Sequence, residues 1–401
     1  MPWLLIGICS LIYLLDGLIH SILGPLAPDL AKSLTLTNAQ LGPIFSANLL
    51  GQCIGLIVVP LLGARLGQRS LVLLSLLGFG LAQAATATAY DANSLFAWRL
   101  VTGFFLGGAL PSCLALVTAA APAARRGFAI MVLFTGYGSG ATLAGVVASV
   151  FSDAGGWRAA TLWVAAACLA TVVVAALWLR EPPRADSPSA AATAVDRPNP
   201  LELLSRRYLI GTLMLWLLFI ALLTISYCLT SWLPTLLVEV GRDRQFAALS
   251  ISIFSLGGIV AALGVGLLID RFGAIRTLVS FLAMATVLLF IVGQVLVSAS
   301  SEVLLVLLGA SGFFVLGAYG GINVVLATFY AEGLRATGIG WAKSIGRIGT
   351  VVAPVLIGSA LTLGMAQTTI MSLFAMPAAL SVLCLLLIGF NQRRRNQKEF
   401  S

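Results

Sequence analysis

Apolar residues in this chain do not alternate with polar ones; they run together. Runs of about 20 residues, the length that crosses a bilayer as a helix, lie near 4–24, 41–63, 70–90, 94–118, 127–151, 157–179, 208–236, 245–269, 275–298, 303–328, 338–362 and 367–390. The stretch 180–207 breaks this pattern. It opens with Arg180-Glu181-Pro182-Pro183-Arg184, holds five of the fifteen prolines, and divides the runs six and six. The pattern predicts an all-α polytopic membrane protein with twelve transmembrane helices in two six-helix, pseudo-symmetric bundles. The expected divisions are an N-terminal bundle over 1–179, a cytoplasmic linker over 180–207, a C-terminal bundle over 208–390 and a basic cytoplasmic tail over 391–401. The first run carries Asp16 and His20 and lacks a basic leader, so it reads as a span and not as a cleaved signal peptide.

Composition agrees. Sixty per cent of the 401 residues are apolar and 9% are charged, against about 25% charged in an ordinary soluble domain. A soluble enzyme and a disordered chain are both excluded. The six cysteines lie singly inside apolar runs and make no metal-ligand spacing, so they read as small buried residues. No cofactor is expected.

The net charge of +9 would raise the question of nucleic acid in a soluble protein, but its distribution answers otherwise. With a cytoplasmic N-terminus, sixteen of the 23 basic residues fall on the cytoplasmic side and four (Lys32, Arg158, Arg242 and Arg244) on the other. That bias places both termini in the cytoplasm of a multi-pass cell (inner) membrane protein. No nucleic-acid partner is expected, and the working assembly is a monomer in lipid.

The halves look like repeats. A shift of 206 positions lays Ser46 on Ser252, Gly51 on Gly257, Arg65 on Arg271 and Gly67 on Gly273. A six-plus-six duplication is the layout of transporters that rock two bundles around a midplane site.

Charge inside a bilayer is costly, so each buried ionisable group is a candidate for function. Asp16 is the one acid deep in a span, and His20, the single histidine, lies one turn further on the same face. Two readings are open: a proton-coupling pair, or a hydrogen-bonded acid at a kink near Gly17 and Gly24-Pro25 with His20 lining the outer mouth. Arg99 precedes Gly103 and Gly107-Gly108 in the fourth run; it faces a cavity or snorkels to the surface. Lys343 and Arg347 are four apart in the eleventh run and no acid there answers them. Such a pair attracts an anion, and arginine can hold a carboxylate with two parallel bonds. Asn48, Tyr137, Tyr227 and Asn323 complete the candidate binding set; Gln52, Gln83, Gln294, Tyr319 and Tyr330 read first as interhelical hydrogen-bonding groups.

Gly266-Leu267-Leu268-Ile269-Asp270-Arg271-Phe272-Gly273 resembles the Gly-x-x-x-Asp-Arg-x-Gly signature of the major facilitator superfamily. The first-half copy keeps Arg65, Gly67 and Arg69 but has Pro60 and Ala64 in place of the glycine and aspartate. The resemblance implies a cytoplasmic gate built on Gly266, Asp270, Arg271, Gly273, Arg65, Arg69 and Arg335.

A closer resemblance is to the aromatic acid:proton symporter family, which includes 3-(3-hydroxyphenyl)propionate transporters. It rests on Asp16-Gly17 with Gly24, Gly107-Gly108-Ala109-Leu110-Pro111, Gly156-Trp157-Arg158, Trp232-Leu233-Pro234, and Arg335-Ala336-Thr337-Gly338 with Gly346-Arg347-Ile348-Gly349. It implies proton-coupled uptake of a small organic anion, an aromatic or related carboxylate, with roles for Asp16 and Arg347. The second acid of the family's first-span signature is Ile19 here, and His20 is a candidate substitute. The rival readings are a proton-driven efflux antiporter and a non-transporting membrane sensor. No soluble signalling domain is present, and no catalytic constellation suggests an enzyme.

Overall fold

The computed structural model describes residues 2–122, 125–151, 155–180, 200–205, 208–330 and 332–399; within these, the side chains of 2, 60–65, 200–201, 327, 332–333, 336 and 391–399 are excepted. The helices run α1 (Pro2–Leu34), α2 (Asn38–Leu66), α3 (Gln68–Thr86), α4 (Ala92–Ala120), α5 (Arg126–Phe151), α6 (Gly156–Trp178), α7 (Leu209–Glu239), α8 (Arg244–Phe272), α9 (Ala274–Val295), α10 (Ser301–Phe329), α11 (Glu332–Thr362), α12 (Gln367–Leu373) and α13 (Ala375–Glu399). Among the described residues there is no strand, and twelve spans are long and apolar enough to cross a membrane. The chain is a multi-pass membrane protein. The twelfth span is broken at Phe374, between α12 and α13. Pro377, which has no N–H to give the Leu373 carbonyl, falls in the first turn of α13, where a missing donor is tolerated.

Most of the expected linker lies outside the described residues. Pro200–Leu204 forms a short 3₁₀ turn, tied to α7 by the Thr212 hydroxyl donating to the Leu203 carbonyl at 3.0 Å. The side chains of the basic tail also lie outside them.

The repeat persists in three dimensions. α2 and α8 begin and end 206 residues apart. Gly67 and Gly273 open α3 and α9 with nearly the same backbone, φ 78°, ψ 157° and φ 85°, ψ 149°, a region that favours glycine. Gly51 lets α2 meet the α4 backbone at Leu100 and Phe104, and Gly257 lets α8 meet α10 at Gly309 and Phe313.

The chain forms two compact units: Met1–Pro182 with Leu229–Leu256 and Val351–Gln367, and Pro183–Cys228 with Gly257–Thr350 and Thr368–Ser401. In the first, α1 packs along α5, with Gly17 against the Tyr137 backbone and Gly140 against the Leu14 backbone. A Cβ on Gly17 would overlap the Tyr137 carbonyl oxygen. Gly17→Ala is therefore expected to cost about 1–3 kcal/mol, the usual penalty for overpacking. A lowered unfolding temperature of the purified protein measures it.

The same unit is closed at the end distal to the start of α1. Arg244 pairs with Asp29. Glu239 accepts from Asn38 at 2.8 Å and from Gln367 at 3.1 Å. Ser46 donates to the Val351 carbonyl and Ser252 to the Thr142 carbonyl, both at 2.6 Å. The Phe45 and Trp232 rings meet edge to face with centroids 5.1 Å apart.

Candidate functional site

In the first unit α1 carries Asp16 and His20 on one face. Asp16 is fully buried and interacts electrostatically with Tyr13 and Cys113. The Tyr13 hydroxyl donates to the Leu110 carbonyl at 3.0 Å, which ties α1 to α4 just before Pro111. One turn on, His20 meets α2 and α5. Its Nδ1 lies 3.3 Å from Asn48 Nδ2, and its ring centroid lies 6.2 Å from that of Tyr137. His20, Asn48 and Tyr137 are thus brought together. Asn48 Oδ1 is buried and has no hydrogen-bond partner among the described residues. The carboxamide can serve the imidazole in either orientation, donating to a bare Nδ1 or accepting from a protonated one.

Arg99 does not snorkel; it is 2% exposed. Its guanidinium donates to Gln83 Oε1 at 3.3 Å and to the Ile19 carbonyl at 3.1 Å, and Nε has no partner among the described residues. These partners are neutral. The arginine reaches position 19 of α1, where the family signature has its second acid, and meets only backbone there.

In the second unit the seam between α7 and α11 is made by Gly346 against Phe219 and Leu223 and by Gly349 against Ile220 and Thr224. α10 runs beside α7, with Gly211 against Phe329 and the Tyr330 hydroxyl donating to Thr212 Oγ1 at 3.1 Å. These registers bring Tyr319 level with Leu223, one turn from Tyr227, at the height of Gly346 and Arg347. The Tyr319 hydroxyl interacts electrostatically with both Tyr227 and Arg347, and Lys343 with Arg347. Lys343 is exposed and Arg347 partly buried. Asn323, one turn from Tyr319, is exposed and donates to the Gly320 carbonyl of its own helix at 3.1 Å.

The expected gating residues take varied roles. Gly266, Asp270, Arg271 and Gly273 are exposed at the end of α8, with the Arg271 guanidinium 5.3 Å from the centre of the Phe272 ring. Arg335 is exposed near the start of α11, and the side chain of Arg65 lies outside the described residues. Arg69 donates to the carbonyls of Leu179 and Ala176 at 2.6 and 2.7 Å, closing the C-terminal end of α6. The Gly156-Trp157-Arg158 motif serves structure. Trp157 Nε1 donates to Ser33 at 2.6 Å, and Arg158 donates to the Ala87 and Ala89 carbonyls at 3.1 and 3.0 Å.

Sequence reasoning placed Tyr319 among the interhelical groups and did not pair Asp29 with Arg244. The spacing of 215 residues gives no local signal for that pair. Tyr319 has one: it stands four residues before Asn323, on the same face of α10.

The model of the Major Facilitator Superfamily matches residues 9–286 and 226–401. The gallate transporter of Pseudomonas putida is 31% identical over 98% of this chain and 93% of its own length. The 4-hydroxybenzoate transporter PcaK of Acinetobacter baylyi is 31% identical over 96% of this chain and 90% of its own. The 3-(3-hydroxy-phenyl)propionate transporter of Escherichia coli is 33% identical over 92% of this chain and 89% of its own. In three dimensions the fold matches the crystal structure of a D-xylose-proton symporter, with a TM-score of 0.80, 15% identity, and 96% and 97% of the two chains covered. With the family model spanning nearly the whole sequence, and the twelve-helix fold shared with a solved transporter, this chain belongs to the Major Facilitator Superfamily.

Proposed function

We propose that the protein is a secondary active transporter of the inner membrane that imports an aromatic carboxylate together with protons by alternating access. Both termini are cytoplasmic, and two bundles, 1–179 and 208–390, flank the linker at 180–207. The observation that carries the substrate class is Arg347, which interacts with the Tyr319 phenol in the second unit. A guanidinium holds a carboxylate and aromatic walls accept a ring. The relatives named for gallate, 4-hydroxybenzoate and 3-(3-hydroxy-phenyl)propionate support it. Asp16, with His20 beside it, exchanges the coupling proton. Asp270, Arg271, Gly266, Gly273 and Arg335 form the cytoplasmic gate, while Arg65 and Arg69 brace its first-half counterpart. The protein works as a monomer.

Charge favours proton coupling. A membrane potential opposes an entering anion by about 2.3 kcal/mol per charge per 100 mV. One proton carried along removes that opposition, and a second adds drive. Proteoliposomes with an acid exterior test the reading. Labelled 4-hydroxybenzoate should accumulate inside, and a protonophore should collapse the gradient. Accumulation only when the interior is acid would reverse the direction and establish export.

The distal closure is then the outer side. Arg244→Ala is expected to loosen it. In a cysteine-free background carrying Ser46→Cys, labelling by a membrane-impermeant maleimide added outside should rise by up to about fivefold, since a half-exposed ion pair contributes about 1 kcal/mol or less. Unchanged labelling would leave the pair without a gating role.

A further inference from the structure

We propose that Tyr319 determines specificity by donating a hydrogen bond to the substrate carboxylate that Arg347 holds. The inference rests on the transport reading above and adds to it a second ligand for the anion. Three helices place the residue. The glycine seam of Gly346 and Gly349 draws α11 onto α7 at the level of Phe219 to Thr224. The contacts of Gly211 with Phe329 and of Thr212 with Tyr330 set α10 antiparallel to α7. Counting up both helices from that contact brings Tyr319 level with Leu223, one turn below Tyr227 and beside Arg347.

Tyr319 interacts electrostatically with both Tyr227 and Arg347, as the registers require. Tyr319 is only partly buried and packs against the core of the second unit. Its hydroxyl interacts electrostatically with the Arg347 guanidinium. A phenol inside a helix bundle that interacts with a guanidinium can donate a hydrogen bond to an anion held there.

The chemistry fits one anion class. A carboxylate offers about four lone-pair positions, and an arginine fork uses two of them. A hydroxyl at the edge of the fork can take a third. Tyr319 therefore acts at the acid end of the substrate and treats ring-hydroxylated and unsubstituted acids alike.

Titration calorimetry on purified protein tests this without transport. Benzoate and 4-hydroxybenzoate are titrated into wild type and Tyr319→Phe, and uptake kinetics are taken in parallel. The expected result is a Kd raised roughly tenfold or more for both acids, the worth of a hydrogen bond to a charged acceptor, with the uptake KM raised alongside it. A Kd unchanged for both acids overturns the proposal. So does a loss confined to 4-hydroxybenzoate, which would assign Tyr319 to the ring. If wild type itself binds neither acid, the transport reading is what fails.

Discussion

Asp16→Asn should abolish the accumulation of 4-hydroxybenzoate driven by a pH gradient, while leaving exchange between labelled and unlabelled substrate intact. Asparagine keeps the shape of aspartate and much of its hydrogen bonding, but it cannot gain and lose a charge. Asp16 is fully buried on α1, among Tyr13 and Cys113, so any proton it exchanges must pass through the surrounding helices. Each coupled proton contributes about 1.4 kcal/mol per pH unit, a tenfold accumulation ratio. The variant should lose that factor entirely, and its exchange rate should lose its dependence on pH. His20→Gln is the contrast. Glutamine can still meet Asn48, so accumulation should persist with an altered pH profile. Full accumulation by Asp16→Asn with the wild-type pH profile would remove Asp16 from coupling.

The fold was legible because lipid imposes it. A span must satisfy its backbone internally and be apolar over about 20 residues, so the twelve spans could be read from run length alone. The 206-residue repeat was legible because Arg65, Gly67, Arg271 and Gly273 carry backbone requirements, and the matching φ angles at Gly67 and Gly273 show what selected them. Lateral pairing was far less legible. Lipid tails are as apolar as leucine, so hydrophobicity does not say which face of a helix meets which neighbour. Arg99 illustrates this. Its depth was readable, but not its partners, since one of them is the backbone carbonyl of Ile19 and has no sequence signature. Arg69 is the opposite case. A family motif suggested a gate, and the side chain closes the end of α6 in its own unit. The glycines of α11 carry a family resemblance, yet their physical use is to let α7 approach closely, Gly346 against Phe219 and Leu223 and Gly349 against Ile220 and Thr224.

Arg347→Ala should weaken aromatic carboxylates far more than their neutral analogues. The guanidinium lies in the second unit and interacts with Tyr319 and Lys343, an arrangement that holds two cations on one helix face. Lys343 carries a point charge on a flexible stem, so it attracts an anion without fixing its orientation. Arg347 can do both, because its fork matches the plane of a carboxylate. Removing it should raise the Kd for benzoate by a factor on the order of 100, the worth of a charged hydrogen-bonded contact, and change benzamide binding by less than about threefold. Arg347→Lys should recover only part of the loss, since an ammonium keeps the charge but not the paired bonds. The ratio between acid and amide carries the argument: a disordered bundle loses both ligands together, whereas a lost carboxylate contact separates them. Equal loss for benzoate and benzamide would make Arg347 a structural residue of the α7–α11 seam and leave the anion to be held elsewhere.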